Sequence, residues 1–130
     1  MDITPRVTEE LEKSELDEGL ATVFVSGSTA GITTLEFESG LVKDIRDFFE
    51  RIVPQGQHYF HEEAWHDGNG HSHVRSALLK TSLSVPFARR KLLLGTWQQV
   101  VLIDFDNRPR ERRLVTQFVG ESVLKKGGAR

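Results

Sequence analysis

The stretch "WQQVVLIDFD", residues 97 to 106, decides how this chain folds. In extended backbone successive side chains point to opposite sides, so Val100 and Leu102 share one face while Val101, Ile103 and Phe105 share the other. Both faces are apolar. A strand of that kind needs a layer on each side, from helices, another sheet or another subunit.

The flanking sequence supplies candidates for those layers. "LATVFVS" (20–26) and "ITTLEF" (32–37) are rich in β-branched and aromatic residues. "SLSVPFA", "KLLLG" and "ERRLVTQFVG" continue the strand series, with turn signals at Arg89-Arg90 and "DNRPR". "QHYF" (57–60) reads as a further short strand. Three segments carry helical signals. "DITPRVTEELEKSEL" has Thr4 as N-cap, Pro5 at the first helical position, and Val7, Leu11 and Leu16 on its apolar side. In "LVKDIRDFFERIV", Val42, Ile45, Phe49 and Ile52 recur at helical spacing until Pro54 ends the run. "SHVRSALLK" (72–80) reads as a short helix with Val74, Ala77 and Leu78 inward. The expectation is a single α+β domain over 1–121, an antiparallel β-sheet or sandwich with two to three short helices. Residues 122–130 are expected as a flexible tail.

Composition narrows the function classes. Over 130 residues, a hydrophobic content of 38%, a charged content of 28% and a net charge of −2 describe a soluble globular chain. Nothing here makes a basic footprint for nucleic acid or a polybasic patch for a membrane. The absence of cysteine excludes disulfides, thiolate nucleophiles and cysteine-based zinc sites. "MDITPRVTEELEK" lacks the apolar run of a signal peptide, and apolar stretches such as "VVLI" fall far below the roughly 20 residues that span a bilayer. A cytoplasmic protein is expected.

All 5 histidines lie between His58 and His73. "HEEAWH" begins like a metalloprotease helix, but His61 and His66 are five apart, about 140° around a helix, and cannot grip one ion from one face. His71 and His73 differ, because an i, i+2 pair in extended backbone projects both imidazoles to one side. With His61 returning from the preceding strand, three ligands would hold a divalent metal, zinc first, and leave a position for water or substrate. Asp67 and Asn69 would orient the imidazoles. His58 and His66 are read as loop residues, and the same bland reading competes for the other three.

Further candidates surround this segment. "GSTAG" (27–31) joins two strands with hydroxyls and amides, so Gly27, Ser28 and Thr29 could cradle an anion or could form an ordinary loop. Asn69 is grouped with them. Arg75 could add charge for a phosphate or be a solvated arginine; Glu36 could be a general base or face solvent. Trp97 could stack on a flat ring or cover the core, beside Gln98. Arg108, Arg110, Arg112 and Arg113 ring a hairpin, where solvated charge is the default.

In order and spacing, "GSTAGITTLEFESGLVKD", "WHDGNGHSHVRSALL", "VPF", "LGTWQQVVLIDFD" and "PRERRLV" resemble the YjbQ-like family, also labelled secondary thiamine-phosphate synthase. The resemblance implies an α+β fold, a compact homotrimer with pockets near subunit boundaries, a metal-binding histidine site and at most weak thiamine-phosphate synthase activity. The implied substrate is a phosphorylated small molecule, with magnesium as the alternative metal for a pyrophosphate. Glu36 and Arg75 would act in catalysis, and Gly27, Ser28, Thr29, Asn69, Trp97 and Gln98 would bind. Many members carry His-Thr-Thr-Ala where this chain has Gly27-Ser28-Thr29-Ala30, and members usually have a strand before the "DIT" segment, which implies an uncovered sheet edge here. A non-catalytic trimer binding a metal or metabolite is the competing reading.

Overall fold

The computed structural model describes residues 1–123. Its elements run α1 (Thr4–Ser14), β1 (Glu18–Ser26), β2 (Ala30–Leu35), α2 (Ser39–Ile52), α3 (His61–Trp65), α4 (Gly70–Leu79), β3 (Ser82–Ala88), β4 (Lys91–Leu92), β5 (Gln99–Asp104) and β6 (Arg113–Glu121). The fold is α+β, as expected. Pairing is antiparallel throughout, in a four-stranded sheet ordered β4-β3-β1-β6 and a two-stranded sheet of β2 and β5. The "GSTAG" loop therefore carries the chain from one sheet to the other. Arg89 and Arg90, at φ 52° and 63°, make the tight turn between β3 and β4.

Strand β5 is covered on both faces within one chain. Val100 and Leu102 enter the main core with Ile3, Val7, Val23, Val25, Ile32 and Val85. Phe105, just beyond the strand, meets Phe49 of α2 edge-on at 5.0 Å between ring centroids, and Val101 is fully buried. The outer edge of β5 is met by residues 1–3, with the Ile3 amide donating to the Val100 carbonyl at 2.9 Å and the Leu102 amide to the Met1 carbonyl at 2.9 Å. Val100, Val101 and Leu102 are thus buried within one chain, while Ile103 stays half-buried. One uncovered apolar surface lies on the outer face of the four-stranded sheet. There Leu20 and Phe24 of β1 pair with Val119 and Val115 of β6, and all four are exposed.

Several local expectations need correction. Four helices form among the described residues, the addition being the five-residue α3. "QHYF" is not a strand; it follows a turn closely, and the Tyr59 carbonyl already accepts the Glu62 amide to start α3. Thr4 does not cap α1, because its hydroxyl accepts the Val100 amide at 2.8 Å, tying α1 to β5. Ser122 and Val123 are pinned by the Asp17 carboxylate and so do not belong to a free tail; the rest of the expected tail, 124–130, lies outside the described residues.

The largest correction concerns α4. Val74, Ala77 and Leu78 face outward, whereas Gly70, His71, Ser72 and Ser76 are buried. The inward side is polar because it serves backbone. The Ser76 hydroxyl donates to the Ala30 carbonyl at 2.5 Å, and the Ser72 amide and hydroxyl both donate to the Asn69 carbonyl. Gly70 is required by close approach, since a Cβ there would sit 2.5 Å from the Tyr59 Cβ.

Candidate functional site

Beyond Leu102 the core-facing side of β5 turns acidic. Asp104, partly exposed, and Asp106, whose side chain is buried, continue the alternation of Val100 and Leu102, and a buried carboxylate requires partners. Arg112 supplies them from the start of the β6 arm, with Nε on Asp104 Oδ2 at 2.9 Å and Nη2 on Asp104 Oδ1 at 2.8 Å. The same Nη2 donates to the Thr29 hydroxyl at 2.6 Å, and that hydroxyl donates to Asp106 Oδ2 at 2.8 Å. Arg110 Nε and the Arg108 amide also donate to Asp106, whose side chain is 1% exposed. Burial alone would push its carboxyl up. Bonds from Thr29, the Arg108 backbone, Asn69 and Arg110 outweigh that, and its pKa falls to about 2.

The loop before α4 closes this cluster. Asn69 is buried, its Oδ1 accepting from the Ser72 hydroxyl and the Asn107 amide, and the Asn107 side chain donates to the Asp67 carbonyl at 2.9 Å. His61 and His73 face each other with ring centroids 4.1 Å apart. His61 Nδ1 lies 3.7 Å from Asp67 Oδ1. Burial, with His61 next, holds His73 below the usual histidine range, although Asp67 and Asp106 oppose the shift. This end of the β2–β5 ribbon therefore gathers two imidazoles, a buried carboxylate and an arginine beside the exposed Gly27 and Ser28. Arg112 Nη1 lies over Gly27, only 2.9 Å from where a Cβ would stand.

The third histidine is elsewhere. His71 and His73 sit on a helix, where i, i+2 positions are about 200° apart rather than side by side. His71 is 2% exposed and lines a cavity beneath α2 instead. Burial first, then the nearby Arg75, lowers its pKa. Among the described residues no group of three or more His, Asp or Glu is arranged to hold a metal ion, so the expected set of His61, His71 and His73 does not converge. His58 lies 3.4 Å from Glu63, and His66 ends α3 at φ 50°.

Other candidates disperse. Arg75 is neither solvated nor set beside the "GSTAG" turn; Nε and Nη2 donate to the Val53 carbonyl at 3.0 and 2.8 Å, and Nη2 bonds Glu50 at 2.8 Å. It closes the C-terminus of α2. Glu36, Trp97 and Gln98 lie at the far end of the ribbon, since Leu35 pairs with Gln99 where Ala30 pairs with Asp104. Five residue steps at about 3.3 Å each make that separation roughly 17 Å. Glu36 faces solvent there. Trp97 is 72% exposed and covers no core, and both ends of the Gln98 amide are engaged locally, with the Gly95 amide and the Thr34 hydroxyl. Asp104, Asp106 and Arg112 were missed as site residues.

The family model for the "UPF0047 protein YjbQ-like" matches residues 1–121, and the chain belongs to that family. A UPF0047 protein of Archaeoglobus fulgidus is 37% identical over 112 residues, 85% of this chain and 86% of its own. One from Methanocaldococcus jannaschii is 34% identical over 122 residues, covering 93% and 85%. Among solved structures, an uncharacterized conserved protein of the yjbq/upf0047 family from Clostridium acetobutylicum matches with TM-score 0.83 at 32% identity, over 92% of this chain and 89% of that one. A hypothetical protein from Aeropyrum pernix K1 gives TM-score 0.86 at 31% identity, over 93% and 88%.

Proposed function

We propose that this member of the UPF0047 YjbQ-like family is a small-molecule enzyme acting on a phosphorylated substrate at the His61–His73 end of the ribbon. The observation that carries it is the juxtaposition of two facing imidazoles, 4.1 Å apart, with the buried Asp106–Thr29–Arg112 network. Exposed Gly27 and Ser28 offer amides and a hydroxyl to phosphate oxygens, and Arg112 takes the part expected of Arg75. His73, held neutral near pH 7, can accept or hand on a proton.

The reaction implied by the resemblance joins a pyrimidine pyrophosphate to a thiazole phosphate. The thiazole nitrogen forms a bond to the pyrimidine methylene carbon while that carbon's bond to oxygen breaks and pyrophosphate leaves. Donors aimed at the departing oxygens stabilise the charge that develops there. One chain does not assemble the three imidazoles expected to hold zinc, so these roles rest on side chains; magnesium, for a pyrophosphate substrate, would arrive with it.

We further propose a homotrimer, supported by the apolar outer face of Leu20, Phe24, Val115 and Val119. Sedimentation should give a trimer, and a monomer at micromolar concentration would remove that part. Gly27, standing where many members have histidine, favours the second reading, a non-catalytic trimer that binds a metabolite. Steady-state synthesis of thiamine phosphate by purified protein, set against His73→Ala, separates the two. The enzyme reading expects the wild type to exceed the variant, and equal trace rates leave the binding reading.

A further inference from the structure

Helix α2 is held at one end. Phe49 is its only buried residue, resting on Phe105, and Arg75 fastens its C-terminal carbonyl at Val53. Toward its start, Val42 and Ile45 are only half-buried. They face the side of β5 that carries Val101, Ile103 and Phe105, and a cavity of about 290 Å³ lies between the two layers. That is roughly twice the volume of an apolar cavity known to accept benzene, and at the lower end of ligand pockets.

The polar side chains of this cavity are Arg46, Arg75, His71, Gln55, Asp104 and Asp106. Arg46 is exposed on α2 and makes no ion pair among the described residues. Arg75 and the buried His71 stand one helical turn apart on α4, both against the cavity. Glu50 already pairs with one nitrogen of Arg75. Asp104 and Asp106 also line the space, but their carboxylates are held by Arg112, Thr29 and Arg110. Apolar walls, two guanidiniums and an imidazole complement an apolar body ending in one negative charge.

We propose that the cavity between α2 and β5 binds a small organic monocarboxylate with a ring-sized or branched apolar body, its carboxylate toward Arg46, Arg75 and His71. The site uses no imidazole or guanidinium of the His61–His73 cluster, so it stands or falls separately from the reaction proposed there. Binding would fill the space under α2 and fix the half of that helix that now lacks support.

Phenylacetate, its neutral analogue phenylacetamide and the cation phenethylamine probe this directly against full-length protein. Phenylacetate should shift the methyl NMR signals of Ile45 and Ile103 saturably, phenylacetamide more weakly and phenethylamine not at all. Arg46→Gln, at an exposed position that spares the fold, should weaken phenylacetate about two- to fivefold and leave phenylacetamide unchanged. Val42→Phe, which fills the space, should abolish binding of both. Absence of shifts at Ile45 and Ile103, or an amide that binds as well as the acid, would overturn the proposal.

Discussion

The two faces of β5 begin from similar side chains and end differently. The face of Val100 and Leu102 is closed by a second sheet and by α1, which Thr4 ties to the Val100 backbone, and it is packed solid until it becomes the Asp104–Asp106 network. The face of Val101, Ile103 and Phe105 is closed by α2, which is fastened at its C-terminal end and leaves a cavity. Apolar character decides that a face will be covered. How many points hold the covering element decides whether the space is filled.

The largest test of this contrast is a pair of truncations. Ile32→Ala, in the solid core, should cost about 2–5 kcal/mol because the fixed surroundings cannot collapse onto the gap. Ile103→Ala borders space that is already open and should cost less than about 1.5 kcal/mol. Urea midpoints measure both. Equal losses would mean that α2 packs as tightly as the core.

Acid sharpens the polar end of the solid face. The folded pKa of Asp106 is depressed to about 2, so its contribution is complete above the unfolded value near 3.9 and is lost as pH falls through 2. That difference corresponds to roughly 2–3 kcal/mol at neutral pH. Asp106→Asn should flatten the stability profile between about pH 4 and pH 2. An unchanged profile would show that Asp106 is not held as described. His71 and His73, also depressed, add losses that begin at higher pH, as it falls below the ordinary histidine range.

On the open face, Arg75→Met removes three hydrogen bonds from the end of α2 and should cost about 1–2 kcal/mol. Amide exchange should quicken most at Phe49–Val53. If exchange instead rises evenly across the molecule, α2 is not separately anchored.

The contrast also explains what was legible in the sequence. Two-residue alternation in "VVLIDF" read correctly because both faces are apolar whatever covers them. α1 and α2 were visible for the same reason, through Val7 and Leu11 and through Ile45 and Phe49. The orientation of α4 was hidden because its inward side carries Ser72 and Ser76, which serve backbone carbonyls and leave no hydrophobic signal. At the site, Thr29, Asn69, His61 and His73 were singled out and do gather. His71 was separated from them because α4 begins at Gly70, two residues ahead of the helix expected over 72–80, so the pair does not lie in the extended backbone that its i, i+2 spacing presupposes. Arg112 reads as solvated hairpin charge, and Asp104 and Asp106 read only as the polar end of a strand. Extending the alternation past Leu102 places Asp104 and Asp106 on the side of Val100 and Leu102, and the buried one, Asp106, needs donors there.

The smallest expected effect lies at the opposite end of α2. Glu38 caps the helix with both carboxylate oxygens, Oε1 accepting the Gly40 amide at 2.7 Å and Oε2 the Leu41 amide at 2.8 Å. Those bonds hold its carboxyl below the usual range. Its support is therefore present above the ordinary glutamate pKa and fades as pH falls below it. The cap lies in solvent, so Glu38→Ala should barely move the urea midpoint, while amide exchange at Gly40 and Leu41 should quicken. The half-supported start of α2 should respond locally because Val42 and Ile45 rest on open space. If the substitution instead lowers global stability as much as Arg75→Met, the helix is held equally at both ends, and the cavity beneath it needs another cause.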